Sequence, residues 1–171
     1  MKKYIFINTI GIFLLGFLFH FLYELFPNFI TSIISLVNES IFEHMKLIIT
    51  SYYVYLIIRY FIYKNNNIST NNLLFKTFIS LLTTIIIFLI IYLPIYYIFG
   101  EYLIITLIIY FISILISEFI YFNRFNNKNP LLNKLALILT IILYIITTYL
   151  TYYPPKIDIF LDPITNKYGI N

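Results

Sequence analysis

Five apolar runs, at residues 4–26, 41–63, 73–99, 102–122 and 131–153, constrain this chain more than any motif in it. A helix rises about 1.5 Å per residue, so about 20 apolar residues cross the hydrocarbon core of a bilayer. Inside lipid every backbone amide must find its partner within the protein, which a helix provides by itself. The expected fold is therefore all-α, an integral membrane bundle of about five transmembrane helices forming a single domain over residues 1–171. Composition agrees, with 61% hydrophobic and 11% charged residues and a mean hydropathy of +0.92. The absence of cysteine removes disulfide scaffolds and thiol chemistry from consideration. The 21% aromatic content follows an Ile-, Asn-, Lys- and Tyr-rich usage typical of AT-rich coding, so it is not read as a ligand signal.

The breaks between the runs give the topology. Lys2 and Lys3 precede the first run and no small-residue cleavage site follows it, so it is expected to be a retained span rather than a signal peptide. After Pro27, residues 28–37 alternate apolar and small polar side chains at helical spacing but are too few to span; a short helix lying in the interface is expected. Polar loops follow at residues 64–72 (KNNNISTNN) and 123–130 (NRFNNKNP), with a tight Gly100-Glu101 turn between them. Pro94 is expected to kink the third span, and Pro154-Pro155 ends the fifth, leaving an outer C-terminal tail, 154–171. No internal repeat is visible, so an inverted-repeat transporter is not supported.

Basic residues orient the bundle. With the N-terminus cytoplasmic, Lys2, Lys3, Arg59, Lys64, Lys76, Arg124, Lys128 and Lys134 fall inside, eight of the eleven Lys and Arg, and the C-terminus is extracytoplasmic. The expected location is the plasma (inner) membrane as a multi-pass protein. The expected partner of the net positive charge is anionic membrane lipid, with no nucleic acid. Glu118, alone among the acids on the inner side, is expected to pair with Arg59 or Lys76.

Chemistry concentrates in Asn38-Glu39-Ser40-Ile41-Phe42-Glu43-His44-Met45-Lys46, which opens the second span. Ser40-x-x-Glu43 is a capping-box pattern, so Ser40 is expected to cap the helix. Extending the helical register backwards puts Glu39, Glu43 and Lys46 on one face and His44 about 100° away. On the first span, Gly16, His20 and Glu24 share a face, and His20 lies close to the depth of Lys46. The candidate polar site is thus His20, Glu24, Asn38, Glu39, Ser40, Glu43, His44 and Lys46, with Asp162 joining if the tail folds back.

Three readings are open for it. The residues can simply cap and pair, with Lys46 on Glu43 and His20 on Glu24. They can bind a polar ligand, a lipid headgroup or a divalent metal, the metal on His20, Glu24, Glu43 and His44, a set compatible with Zn²⁺ or Fe²⁺/Mn²⁺. Such a site extends to a membrane-embedded lipid hydrolase or transferase in which His20 acts as base, although no nucleophile stands at a recognised spacing. Alternatively, an acidic outer vestibule above a buried His/Glu pair can open a small cation or proton conduit. Whether the protein is an enzyme stays open at this level.

The polar block, preceded by His20-Phe21-x-Tyr23-Glu24 and followed by Pro154-Pro155, Phe160-x-Asp162-Pro163-x-Thr165 and Tyr168-Gly169, resembles a family of small bacterial polytopic membrane proteins catalogued as a domain of unknown function. Phe42 stands where Trp is expected, and Asn166 where Gly is usual. The resemblance implies the membrane architecture and groups the tail motif with the helical motifs; it implies no activity.

Overall fold

The computed structural model describes residues 2–100, 102–124 and 129–170. Each long apolar run forms one uninterrupted helix: α1 (Lys2–Leu25), α3 (Ile41–Asn65), α4 (Leu73–Phe99), α5 (Leu103–Arg124) and α6 (Leu131–Tyr152). All five are long and apolar enough to cross a membrane. The short α2 (Phe29–Ile34) lies between α1 and α3, and a single 3₁₀ turn (Asp158–Phe160) follows α6. Span limits stay within about two residues of those read from hydropathy. Glu101 and residues 125–128 of the second polar loop lie outside the described residues, and residues 123 and 124 of that loop belong to α5.

Burial is inverted relative to a soluble bundle, and this identifies the surrounding solvent. On α1, Asn8, Thr9 and Gly16 are buried, whereas Phe6, Leu14, Phe17, Leu18 and Phe21 are exposed. The same holds on α2, where Thr31 and Ser32 face protein and Phe29 and Ile30 face out. Large apolar side chains are stable on the outside when the outside is lipid, and polar ones then turn inward for hydrogen bonds. The chain is a multi-pass membrane protein.

A methyl group placed on Gly16 would come within 2.9 Å of the outer end of the Tyr110 ring, so the glycine makes room for a side chain of α5 against α1. Toward the end of the bundle that holds the N-terminus, a buried polar knot ties four helices together. The Arg59 Nη2 donates to Glu118 Oε1 at 2.7 Å, Ser80 donates to the same oxygen at 3.1 Å, and Asn8 Nδ2 donates to Glu118 Oε2 at 2.9 Å. Tyr55 hydroxyl donates in turn to Asn8 Oδ1 at 3.0 Å. The guanidinium lies between the Tyr55 and Tyr121 rings, 5.4 and 4.9 Å from their centroids. Glu118 therefore takes Arg59, not Lys76, as its partner.

Pro94 sits inside α4, which runs on past it to Phe99. One local expectation needs amending. The interfacial helix is shorter than residues 28–37, because Asn28 caps it: its Oδ1 accepts from Ile30 N and Thr31 N while Thr31 Oγ1 accepts from Asn28 N, a complete capping box. Asn67 and Asn72, both with φ near +50°, turn the chain at the α3–α4 loop.

Candidate functional site

The α2–α3 loop is pinned to α1 before the polar block begins. Ser35 Oγ accepts from Tyr23 N at 3.1 Å and donates to the Phe19 carbonyl, which sets the loop against the part of α1 that carries His20. At the far side of the block, Asn38 Oδ1 accepts from Ser40 N at 3.0 Å, while its Nδ2 donates to the Gly169 carbonyl at 2.9 Å. Ser40 begins α3 as expected, its Oγ accepting from Glu43 N at 3.4 Å. The reciprocal half of the capping box is absent, since Asn38 already holds Ser40 N.

Glu43 turns to a different task. Its Oε2 accepts from Val37 N at 3.1 Å and from Lys46 Nζ at 2.5 Å, and its Oε1 accepts from Thr151 of α6 at 2.8 Å. Lys46 Nζ also donates to the Ser32 carbonyl at 2.7 Å and to Thr151 Oγ1 at 3.0 Å. All three ammonium protons are used, which is the condition under which a fully buried lysine is tolerated. Asn38, Ser40, Glu43 and Lys46 are thus a fastening that joins α2, α3, α6 and the tail.

The remaining two members of the block face the other way and meet His20. Glu39 Oε2 lies 3.6 Å from His20 Nε2 and 3.6 Å from His44 Nε2, and the imidazole rings are 5.8 Å apart. His44 Nδ1 is 2.9 Å from the Ser40 carbonyl oxygen. A carbonyl can only accept, so Nδ1 carries a proton and the neutral ring presents its lone pair at Nε2. Two acceptors, His44 Nε2 and Glu39 Oε2, then face one another, which is favourable only if they share a proton or a cation. The potential ligand atoms of His20, Glu39 and His44 all lie within 4.8 Å of one another, and all three side chains are part-buried.

Facing two imidazoles also changes the carboxylate. The His20 imidazole facing its carboxylate lowers the Glu39 pKa below the usual carboxylate range, burial opposes this, and the neighbouring His44 ring lowers it further. Glu39 is held as the anion.

The cluster sits at the mouth of a cleft of about 130 Å³ between α1, α3, α4 and α5, whose walls are Gly16, Phe17, Phe21, Leu47, Ile48, Phe88, Leu103, Thr106, Leu107 and Tyr110. Among the described residues, only His20, Glu39 and His44 bring groups that can carry charge at neutral pH to it.

The candidate residues therefore separate into groups. Glu24 is exposed on the last turn of α1 and stands apart from the three-residue group. Of the metal set read from sequence, His20 and His44 converge, Glu43 is committed to Lys46, and Glu39 occupies the carboxylate position. Backward extension of the helical register misplaces Glu39, because a residue preceding the N-cap leaves the helix axis; Ser40 as N-cap was the available signal. Asp162 is buried in its own turn, its carboxylate accepting from Ile164 N at 2.9 Å and Thr165 Oγ1 at 2.6 Å. That turn closes a Leu161–Tyr168 bridge and stacks Phe160 on Phe42 at 4.5 Å, so the tail folds back on the start of α3 without placing Asp162 in the cluster. Thr151, Ser32 and the α5 wall of the cleft carried no signal in the sequence, since single hydroxyls and apolar residues in a span have many uses.

Comparison with curated proteins and with solved structures returned no match. A family model covers residues 1–170. The chain belongs to that family, a family of unknown function designated DUF6512.

Proposed function

We propose that this protein binds one divalent metal ion on His20, Glu39 and His44, at the outer-leaflet end of a plasma-membrane bundle whose N-terminus is cytoplasmic. The observation that carries the reading is the convergence of three ligand atoms within 4.8 Å, one of them oriented by the Ser40 carbonyl. A carbonyl hydrogen bond on the distal nitrogen is the usual device for fixing a metal-binding imidazole. Two nitrogens and one carboxylate suit Zn²⁺ or Fe²⁺/Mn²⁺, and three protein ligands leave a position for water or substrate, as catalytic zinc sites do. A hydrolytic or transfer role on lipid is favoured as the second reading because the cleft adjoins the ligands; there the metal would supply an activated water.

The test is Zn²⁺ titration of purified protein against a chromophoric chelator. One equivalent is expected to bind, and His20→Ala, His44→Ala and Glu39→Gln are each expected to weaken it by more than about tenfold, whereas Glu24→Gln leaves it unchanged. Wild-type affinity retained in His44→Ala, or no Zn²⁺ bound at all, rejects the site in favour of an ion-paired imidazolium cluster.

A further inference from the structure

We infer that the ligand of this site is an anionic single-chain amphiphile, its charged oxygen on the metal and the first part of its chain in the cleft. The inference rests on the metal reading and deepens it.

Charge specifies the head. A divalent cation on two neutral imidazoles and one carboxylate leaves a site of net charge +1, which selects an anionic oxygen ligand for the open position. Shape and chemistry specify the tail. Immediately inward of the cluster the cleft is walled by Gly16, Leu47, Ile48, Phe88 and Leu107, without another charged group among the described residues. Gly16 and Ile48 stand four residues from His20 and His44, so the apolar floor reaches about 6 Å deeper than the ligands. About 130 Å³ is close to the size of cavity that admits a benzene-sized apolar group, enough for the leading methylenes of one chain and not for a two-chain lipid.

The opening specifies the route. Phe17, Phe21 and Leu103 line the cleft and are also exposed on the outer surfaces of α1 and α5. These surfaces belong to spanning helices, so the cleft opens sideways into lipid. A chain anchored in the bilayer enters there with its head already at the depth of the cluster. A soluble anion has no use for these walls.

The experiment measures Zn²⁺ affinity of the protein in phosphatidylcholine nanodiscs, with and without dodecyl phosphate or inorganic phosphate, against protein-free discs. A ligand that prefers the metal-loaded site raises metal affinity by the same factor as the metal raises its own. Dodecyl phosphate is expected to tighten Zn²⁺ binding by at least about tenfold, and inorganic phosphate at equal concentration by far less. Thr106→Trp, which fills the cleft, and Leu103→Trp, which narrows its rim, should each abolish the dodecyl phosphate effect while leaving Zn²⁺ affinity alone unchanged. An equal response to inorganic phosphate, an undiminished response in both tryptophan variants, or no response in protein that binds Zn²⁺ overturns the amphiphile. Failure of the metal reading shows separately, as absent Zn²⁺ binding before any amphiphile is added, and removes this inference with it.

Discussion

Within nine residues, the polar block interleaves two jobs that backbone direction keeps apart. Asn38, Ser40, Glu43 and Lys46 satisfy one another, the Val37 amide, the Ser32 carbonyl and Thr151, whereas Glu39 and His44 face His20. The two groups should respond differently to substitution. Lys46→Met leaves the Glu43 carboxylate buried beside an apolar chain, and a loss of about 3–5 kcal/mol is expected. Adding Glu43→Gln removes the second charge while its amide oxygen still accepts from Val37 N and its NH2 donates to the Thr151 hydroxyl, freed of Lys46, so the double variant should recover most of that loss in thermal unfolding in detergent. An additive double variant would mean that the pair is not coupled. Glu39 supplies a pH signature. Its carboxyl titrates below the ordinary range in the folded protein, so its contribution is fully present above the unfolded value and disappears as pH falls through the lowered folded value. Metal-free wild type should thus lose stability on acidification below about pH 4.5 more steeply than Glu39→Gln. Parallel curves would show that the His20–Glu39–His44 contact contributes nothing.

Among the elements, the tail and α2 set the geometry of the start of α3. Asn38 donates to the Gly169 carbonyl and Phe160 stacks on Phe42, so the segment after α6 braces the loop that presents Glu39. Gly169 has φ +73°, and a methyl group there would lie 3.1 Å from the Thr151 carbonyl oxygen and 3.2 Å from the Pro154 ring. Gly169→Ala therefore meets both backbone strain and a close contact, and a cost of about 1–3 kcal/mol is expected. Because Thr151 also holds Glu43 and Lys46, the same variant should weaken Zn²⁺ binding although it touches no ligand. Unchanged affinity in a destabilised Gly169→Ala protein would show that the tail braces the fold and not the site.

At the scale of the whole molecule, an inverted burial pattern, a polar knot of α1, α3, α4 and α5 toward one end, and the Thr151 contacts of α6 at the other hold five spans in register. Arg59→Leu strands the Glu118 carboxylate among Asn8 and Ser80, and destabilisation by about 3–5 kcal/mol is expected; Arg59→Leu with Glu118→Leu should be milder. A single mutant no less stable than the double would remove the ion pair from the account of stability. Sidedness is checked by single cysteines in this cysteine-free chain. Cysteine at Asn67 should react with a membrane-impermeant maleimide only after lysis, and cysteine at Lys156 in intact cells. The reverse pattern inverts the topology.

How much of this was legible beforehand differs by feature, for physical reasons. Span number and limits depend on local hydropathy summed over about 20 residues, and the Ser40 cap on a short pattern, so both are properties of sequence alone. That Glu118 pairs with a basic residue of the inner side also followed, because opposite charges at one depth in lipid have few alternatives, although the choice of Arg59 over Lys76 came only with the packing of the helices. Which carboxylate meets His20 was a different kind of question. Glu24, Glu39 and Glu43 lie at similar depth and are chemically alike, and the choice among them turned on a half-turn of backbone before Ser40, on Thr151 arriving from more than a hundred residues away, and on Gly169 holding Asn38. Sequence by itself determined a bundle with an ionisable block at one end; only the tertiary structure decided that Glu43 fastens the bundle and Glu39 joins the two histidines, because side-chain direction at a helix start is set by what packs around it.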